Sequence, residues 1–96
     1  MKLVVSLQAD DDLLKIYNYL NPLNQKAARD QLAGINDKFK QLARFPFIGR
    51  ERSNLRRGLR SVVFGPNVIF YLVEEERVVI VRVLDGRRDL DEEFRR

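Results

Sequence analysis

The sequence contains neither histidine nor cysteine. The absence of cysteine excludes a disulfide framework and a thiolate nucleophile. The absence of histidine removes the side chain that most often transfers protons near neutral pH. No apolar run approaches the ~20 residues of a membrane-spanning helix. The first apolar run ends at Gln8 and Asp10, too early for a signal peptide. We therefore expect a cytoplasmic protein without membrane association.

Basic residues outnumber acidic ones, with 18 lysines and arginines against 14 aspartates and glutamates, and the formal net charge is +4. Such a charge favours acidic partners, which are nucleic acids or acidic protein surfaces, and does not choose between them. The 96 residues, 45% of them hydrophobic, have the length and composition of one domain. We expect a single domain over residues 1–96.

The N-terminal half predicts one strand and a pair of helices. Residues 2–7 (KLVVSL) form a short apolar run typical of a strand. Apolar residues recur at spacings of three and four over residues 9–21 and again over residues 24–44, as they do in amphipathic helices. The pair Asn21-Pro22 ends the first helix, because proline disfavours helical dihedral angles in the residue before it. The short link between the helices predicts an antiparallel hairpin.

Several side chains of these helices have predicted places. The acidic triplet at residues 10–12 lies in the first turn, where we expect it to stabilise the helix dipole rather than bind a metal ion. Tyr17 lies on the apolar stripe and is predicted to be in the core, whereas Tyr19 lies off the stripe and is free to meet a partner. Phe39 and Leu42 are on the core stripe of the second helix.

From residue 59 onward the pattern predicts strands. The segments LRSVVF, VIFYLV and RVVIVRVL are separated by a Gly65-Pro66-Asn67 turn and by an acidic tip at residues 74–76. Short turns join antiparallel neighbours, so these segments predict a three-strand meander. The final residues are charged and have room for one helical turn. The predicted fold class is α+β, with an N-terminal strand, an antiparallel helical hairpin and a three-strand antiparallel meander completing one sheet packed on the helices.

Alternation along the last strand divides its side chains between two faces of the sheet. Val79, Val81 and Val83 share one face, which we expect to lie under the helices. Arg82 then lies on the far face among apolar residues. Two helices cover only one face of a sheet, so we expect the far face to be an apolar surface beneath a partner.

The segment RFPFIGRERSNLRRGLRS, residues 44–61, places six arginines around one acid, Glu51. Each arginine has an alternative interpretation as a solvated loop charge or a structural ion pair. In particular, Arg56, Arg57 or Arg60 has Asp85 and Asp89 as candidate ion-pair partners. The Gly86-Arg87-Arg88-Asp89 corner is also typical of a turn with a local ion pair.

These segments together resemble the ParE branch of the ParE/RelE toxin superfamily, over about residues 3–90. The matching pieces are DDLLKIYNYL, FPFIGRERSNLRRGLRS, VIFYLVEEERVVIVRVL and GRRDL. Asp85 departs from the pattern, because histidine is expected before Gly-Arg-Arg-Asp. The resemblance implies the toxin half of a bacterial toxin–antitoxin pair with a RelE/ParE-like fold. In the ParE branch it also implies inhibition of DNA gyrase and neutralisation by a ParD-like antitoxin that folds over the toxin.

The RelE branch of the superfamily implies a different activity, ribosome-dependent cleavage of mRNA. Cleavage needs a base and an acid besides charge stabilisation of the phosphate. Arginines bind phosphate well but carry protons poorly. The lysines end at Lys40, and no tyrosine follows Tyr71, whereas RelE-like nucleases tend to carry a tyrosine in the tail. Tyr71, Asp85 and Asp89 are the remaining candidates for proton transfer.

We therefore favour gyrase inhibition by binding, with mRNA cleavage as the alternative and direct nucleic-acid binding as a third class. We expect no catalytic residue, metal or cofactor, a hetero-oligomer with the antitoxin, and DNA contact only through the antitoxin or gyrase. The residues expected to contact the target or the antitoxin are Arg50, Arg52, Arg56, Arg57, Arg60, Arg82, Arg87, Arg88 and Tyr19.

Overall fold

A computed structural model of the chain describes residues 1–95. In chain order, the elements are β1 (Lys2–Val5), α1 (Leu7–Leu20), α2 (Gln25–Arg44), β2 (Arg50–Glu51), β3 (Arg60–Phe64), β4 (Asn67–Glu74), β5 (Arg77–Asp85) and α3 (Leu90–Phe94). The predicted α+β class and order of elements are confirmed. The short strand β2, within the arginine-rich segment, and the extent of α3 had no clear periodic signal.

Side-chain caps set where the two long helices begin. The Ser6 hydroxyl accepts a hydrogen bond from the Ala9 amide at 3.0 Å, so α1 begins at residue 7, earlier than its apolar periodicity predicts. The first strand, β1, is correspondingly shorter than predicted. The Asn24 side chain accepts a hydrogen bond from the Ala27 amide at 3.0 Å and caps α2 in the same way. α1 ends at Leu20, directly before the Asn21-Pro22 pair that predicted its end.

The five strands form one sheet in the order β1-β5-β4-β3-β2. β3, β4 and β5 are the predicted antiparallel meander. β1 lies parallel to β5, with Lys2 opposite Arg77 and Val5 opposite Ile80. Beyond Val5, α1 takes over the edge of β5, because the Ser6 amide donates to the Ile80 carbonyl and the Ser6 hydroxyl to the Val81 carbonyl.

The prediction of which β5 residues face the helices is wrong for two of the three valines. Phe70 pairs with Arg82 but Tyr71 pairs with Ile80, so Val81 is an extra residue in a β-bulge. Strict alternation therefore fails at residue 81. Val78, Ile80 and Val83 share the core beneath the helices, while Val81 packs against the cluster on the opposite face.

A core lies on each face of the sheet. Beneath the helices, Phe39 and Leu42 are buried as predicted and pack with β4 and β5. On the far face Leu59, Val68, Phe70 and Leu84 are buried, with Leu55 of the arginine-rich segment and Leu90 and Phe94 of α3 packed against them. The prediction of an open apolar far face is therefore wrong, because the loop before β3 and the C-terminal helix already cover it.

Within residues 1–95 there is no helix with the length and hydropathy needed to cross a membrane.

Candidate partner-binding site

An ion pair between α1 and β5 organises one end of the molecule. The Arg82 guanidinium donates two hydrogen bonds to the Asp12 carboxylate, from Nε at 2.8 Å and from Nη2 at 2.9 Å. Asp12 also accepts a hydrogen bond from the Val83 amide at 2.9 Å, on the edge of β5 that β1 leaves open. The side-chain hydrogen bond to Asp12 raises the pKa of Arg82. Arg82 also reaches Glu93 of α3 at 3.5 Å, so it joins three elements.

Asp12 is a structural residue that the sequence analysis missed. Its interpretation as a carboxylate stabilising the helix end fails, because Asp12 is 5% exposed and bound to another element. The position of Asp12 in the sequence did indicate this structural role. Asp12 lies three residues after Ala9 and four before Ile16, on the side of α1 that faces the sheet. A lone acid on the buried stripe of a helix and a lone arginine in an apolar strand are a natural pair.

The loop at residues 45–49, between α2 and β2, is fixed by two buried or half-buried side chains. The Tyr71 hydroxyl donates to the Pro46 carbonyl at 2.7 Å and accepts from the Gly49 amide at 2.9 Å. Arg60 donates to the Gly49 carbonyl at 2.8 Å and pairs with Glu51 at 3.4 Å. Burial raises the pKa of Tyr71. Tyr71 and Arg60 therefore hold the backbone of this loop in place.

Glycine is required at residue 49 because of this contact. A Cβ added there would lie 2.4 Å from the Tyr71 hydroxyl oxygen. The Pro-x-x-Gly spacing of the segment thus reflects a backbone turn folded around a phenol from β4.

The surroundings of Arg50 differ from those of Arg52, which lies two residues further along the same segment. Arg50 is exposed on β2. Arg52 is half-buried, donates to the Ser61 hydroxyl at 3.3 Å and lies over the Phe70 ring at 5.6 Å from its centroid. Arg52 therefore packs on the far face of the sheet, and Arg50 is the more accessible of the two.

Arg56 and Arg57 are both exposed in the loop before β3. Arg56 lines a groove of about 480 Å³ together with Arg82 and Arg88. Arg88 is bound by Glu93 of α3, which also lines the groove. The loop before β3 and the start of α3 thus bring predicted site residues from distant parts of the sequence to one groove.

Arg87, Arg88 and Tyr19 line a second groove, of about 360 Å³, between α1 and the end of β5. Tyr19 is 70% exposed, as its position off the apolar stripe predicts. Arg87 donates to Asp85 through Nε at 3.0 Å and Nη2 at 2.9 Å, an ion pair with the residue before the predicted Gly86-Arg87-Arg88-Asp89 turn. The Arg87 guanidinium and backbone amide lower the pKa of Asp85 to about 2.

Seven of the nine predicted site residues fall into two regions, while Arg52 packs over the Phe70 ring and Arg57 is exposed in the loop before β3. Arg56, Arg82, Arg87, Arg88 and Tyr19 line the two grooves, and Arg88 belongs to both. Arg50 and Arg60 belong to the region of the loop at residues 45–49. The predicted ion pair of Arg56, Arg57 or Arg60 with Asp85 or Asp89 does not form in the described part of the chain, where Arg60 pairs with Glu51 and Asp85 with Arg87.

No cluster of three or more metal-binding side chains occurs in the part of the chain that the structure describes. Asp11, next to Asp12, pairs with Lys15 at 3.1 Å and is exposed, so the two adjacent carboxylates serve different partners.

Residues 3–90 match the family described as the ParE toxin of the type II toxin–antitoxin system parDE. The chain belongs to the ParE toxin family. The matched range includes the loop at residues 45–49 and the whole lining of the groove beside Tyr19. It leaves out Glu92, Glu93 and Phe94, which line the groove beside Arg56. The resemblance drawn from the arginine-rich segment and the GRRDL motif is confirmed.

Two relatives agree with this family. Toxin ParE3 of Caulobacter vibrioides is 46% identical over 65 residues, which span 68% of this chain and 65% of that protein. The match thus spans slightly less than two thirds of the relative's length. A solved structure titled "Chromosomal ParDE TA system from P. aeruginosa" has a chain with a TM-score of 0.77 and 23% identity, over 88% of this chain and 95% of that chain. This second likeness confirms the RelE/ParE-like fold.

Proposed function

We propose that this ParE-family chain inhibits DNA gyrase by binding it, and that a ParD-like antitoxin neutralises the chain by covering the same surface. The observation that carries the proposal is that three arginines are exposed while the candidates for proton transfer are bound within the fold. Arg50, Arg56 and Arg57 are exposed and available to an acidic protein surface. Arginine is enriched at the energetic centres of protein interfaces.

The candidates for proton transfer have other roles. The Tyr71 hydroxyl is hydrogen-bonded to the loop at residues 45–49 on both its donor and its acceptor side, and burial raises its pKa. A general base near neutral pH needs a pKa near 7, whereas the pKa of Asp85 is about 2. The Asp89 side chain accepts a hydrogen bond from the Glu92 amide and caps α3. These contacts favour a binding protein over an mRNA endonuclease.

If gyrase and the antitoxin bind the same surface of this chain, the antitoxin neutralises the chain simply by occupying that surface. Arg82, Arg87 and Arg88 of the two grooves are paired with Asp12, Asp85 and Glu93. Arg56, which has no ion pair within residues 1–95, lines the first groove and suits an acidic segment of either partner. On this proposal the two partners exclude each other, and contact with DNA is made through gyrase or the antitoxin. A ternary complex that persists while gyrase activity is restored would contradict simple competition.

The deciding experiment is a supercoiling assay with purified gyrase, relaxed plasmid and increasing amounts of this protein free of antitoxin. We expect loss of supercoiling and accumulation of cleaved DNA. Circular dichroism of the same sample verifies that the protein is folded. Full supercoiling with folded protein would overturn gyrase inhibition, and ribosome-dependent cleavage of mRNA would then be tested with the same preparation.

A further inference from the structure

The loop at residues 45–49 presents three large apolar side chains to solvent. Phe45 is 52% exposed, Phe47 62% and Ile48 51%. Single exposed apolar residues are common, but three within four positions make up a local apolar patch, and exposed apolar patches mark interaction sites. Neither the predicted site residues nor the two grooves near α3 include this patch.

The backbone of the loop is held rigidly while its side chains are exposed. Tyr71 binds the Pro46 carbonyl and the Gly49 amide, and Arg60 donates to the carbonyls of Phe47 at 3.3 Å and Gly49 at 2.8 Å. A loop fixed before binding loses less conformational entropy when a partner arrives. The exposed apolar side chains are thus presented by a preorganised support.

A cavity of about 210 Å³ opens beside the patch. Its lining combines apolar residues with the ion pair of Arg60 and Glu51: Phe47, Glu51, Ser53, Gly58, Leu59, Arg60 and Val73. A cavity of ~150 Å³ lined by apolar groups is large enough to hold a benzene ring. One aromatic or aliphatic side chain of a partner therefore fits next to Phe47.

The charges around the patch are predominantly positive. Arg44 lies over the Phe45 ring at 5.4 Å, and Arg60 lies over the Phe47 ring at 5.1 Å. Within residues 1–95, neither Arg44 nor Arg50 has an acidic partner within 4.0 Å, while the one nearby acid, Glu51, pairs with Arg60. Like charges oppose a second copy of this chain at this site, and an acidic partner is complementary to it.

We propose that the loop at residues 45–49 docks an acidic segment of a protein partner, with an aromatic or aliphatic side chain of that segment in the cavity beside Phe47 and its carboxylates on Arg44 and Arg50. The biological identity of the partner rests on the function proposed above. A protein segment is favoured over single-stranded nucleic acid for two reasons. Ile48 offers no stacking surface, and each phenylalanine ring already has a guanidinium over one face.

The test selects ligands without assuming which partner is cognate. Phage-displayed random dodecapeptides are selected on the immobilised wild-type protein, and an enriched peptide is labelled for fluorescence anisotropy. We expect enriched peptides with acidic residues next to an aromatic or aliphatic residue. Phe47→Ser and, separately, Ile48→Ser are expected to raise the Kd about tenfold or more, as truncation of a binding centre does. The matched control is Val63→Ser, because Val63 is 68% exposed on β3, outside the loop.

Several outcomes overturn the proposal. These are no enrichment, enriched peptides without acidic residues, or an equal Kd for both loop variants and the wild type when circular dichroism shows all to be folded. Binding of labelled oligothymidylate that is lost in Phe47→Ser, with no peptide binding, would assign the loop to nucleic acid instead. A dimer in light scattering that Phe47→Ser dissociates would assign it to self-association.

Failure of this proposal is distinguishable from failure of gyrase inhibition, because the peptide assay contains neither gyrase nor antitoxin. A chain that inhibits supercoiling but selects no acidic peptide overturns the loop proposal alone. A chain that binds acidic peptides through Phe47 but leaves supercoiling intact overturns the gyrase proposal alone.

Discussion

At the scale of single residues, Asp12 and Arg82 show how a charged pair is kept inside a small protein. The Asp12 side chain is 5% exposed and that of Arg82 16% exposed, so both have lost most of their hydration. Two guanidinium hydrogen bonds and the Val83 amide replace that hydration around the Asp12 carboxylate. Removing Asp12 leaves the largely buried Arg82 guanidinium with only Glu93, at 3.5 Å, as an acidic partner among residues 1–95, so most of its compensation is lost.

We therefore expect Asp12→Ala to lower the free energy of unfolding by about 3 to 5 kcal/mol. Urea denaturation followed by circular dichroism measures this value. The control is Asp11→Ala, which breaks an exposed pair with Lys15 and is expected to cost about 1 kcal/mol or less. Equal losses for the two variants would show that the Asp12 contacts contribute no more than a surface pair.

Tyr71 is a second residue with a structural role, which depends on the hydrogen bonds of its hydroxyl group. Tyr71→Phe leaves the Gly49 amide and the Pro46 carbonyl without their side-chain partner, so we expect it to cost about 1 to 3 kcal/mol of stability. The control is Tyr19→Phe, because Tyr19 is exposed and no such cost is expected for it. Thermal unfolding of both variants beside the wild type measures the difference.

The raised pKa of Tyr71 gives its hydroxyl a pH dependence of a definite sign. The folded state holds the Tyr71 proton more tightly than the unfolded state, whose pKa is near 10.0. The resulting contribution to stability is complete below pH 10.0 and is lost as the pH rises through the folded-state pKa. Wild type is therefore expected to lose more stability than Tyr71→Phe on this rise, and parallel alkaline curves would contradict the assignment.

At the scale of elements, α3 acts as a cover for the far face of the sheet. A helix of five residues does not persist on its own in water, so its contacts with the sheet must stabilise it. Leu90 and Phe94 pack on the buried cluster, and the Phe94 ring lies 4.8 Å from that of Phe70. The ion pairs of Glu93 with Arg82 and Arg88 add a polar attachment.

Phe94→Ala is accordingly expected to detach α3 and to lower stability by about 1 to 3 kcal/mol. Hydrogen exchange read by mass spectrometry should show loss of amide protection in residues 86–95, with the helices α1 and α2 unchanged. The control is Asp91→Ala, since Asp91 is exposed on the same helix. Retained protection in Phe94→Ala would mean that Leu90 and the ion pairs of Glu93 hold α3 in place without the Phe94 ring.

The elements also show which features of this fold can be predicted from the periodicity of the sequence. The helical stripes with Phe39 and Leu42 and the three strands of the meander were predictable, because each repeats its pattern over many residues. The β-bulge at Val81 was not, because one inserted residue carries no sequence signal yet exchanges the faces of the residues after it. The cover formed by α3 was missed for a related reason, since Leu90 and Phe94 are two apolar residues in a charged segment.

The same distinction holds for the candidate site. Arg56 and Arg57 were predictable as surface charges from their density in the sequence, and they are exposed. Arg60 and Arg82 have the same side chain but have extensive contacts with the loop backbone and with Asp12. Whether an arginine faces a partner or its own fold depends on contacts between distant segments, which sequence spacing does not report.

At the scale of the whole molecule, the net charge of +4 is distributed unevenly. Arg56 and Arg57 extend from the loop before β3 and have no structural ion pair within residues 1–95, whereas Arg60 holds the loop at residues 45–49. A variant that removes Arg56, Arg57 and Arg60 together would not separate the loss of partner binding from the loss of the Arg60 contacts that hold the loop at residues 45–49. The exposed pair is therefore the cleaner probe of long-range attraction to an acidic target.

We expect Arg56→Ala with Arg57→Ala to require about tenfold more protein for half-inhibition of gyrase at low salt, because two rim charges no longer attract the target. Raising the ionic strength should narrow this gap, since salt screens exposed charges beyond ~10 Å at 0.1 M. The control is Arg29→Ala with Lys40→Ala, which removes two exposed charges from α2 and gives the same net charge. If both double variants weaken inhibition equally, net charge rather than the position of Arg56 and Arg57 governs the encounter. If only the first does, and its deficit shrinks with salt, the loop before β3 belongs to the contact surface.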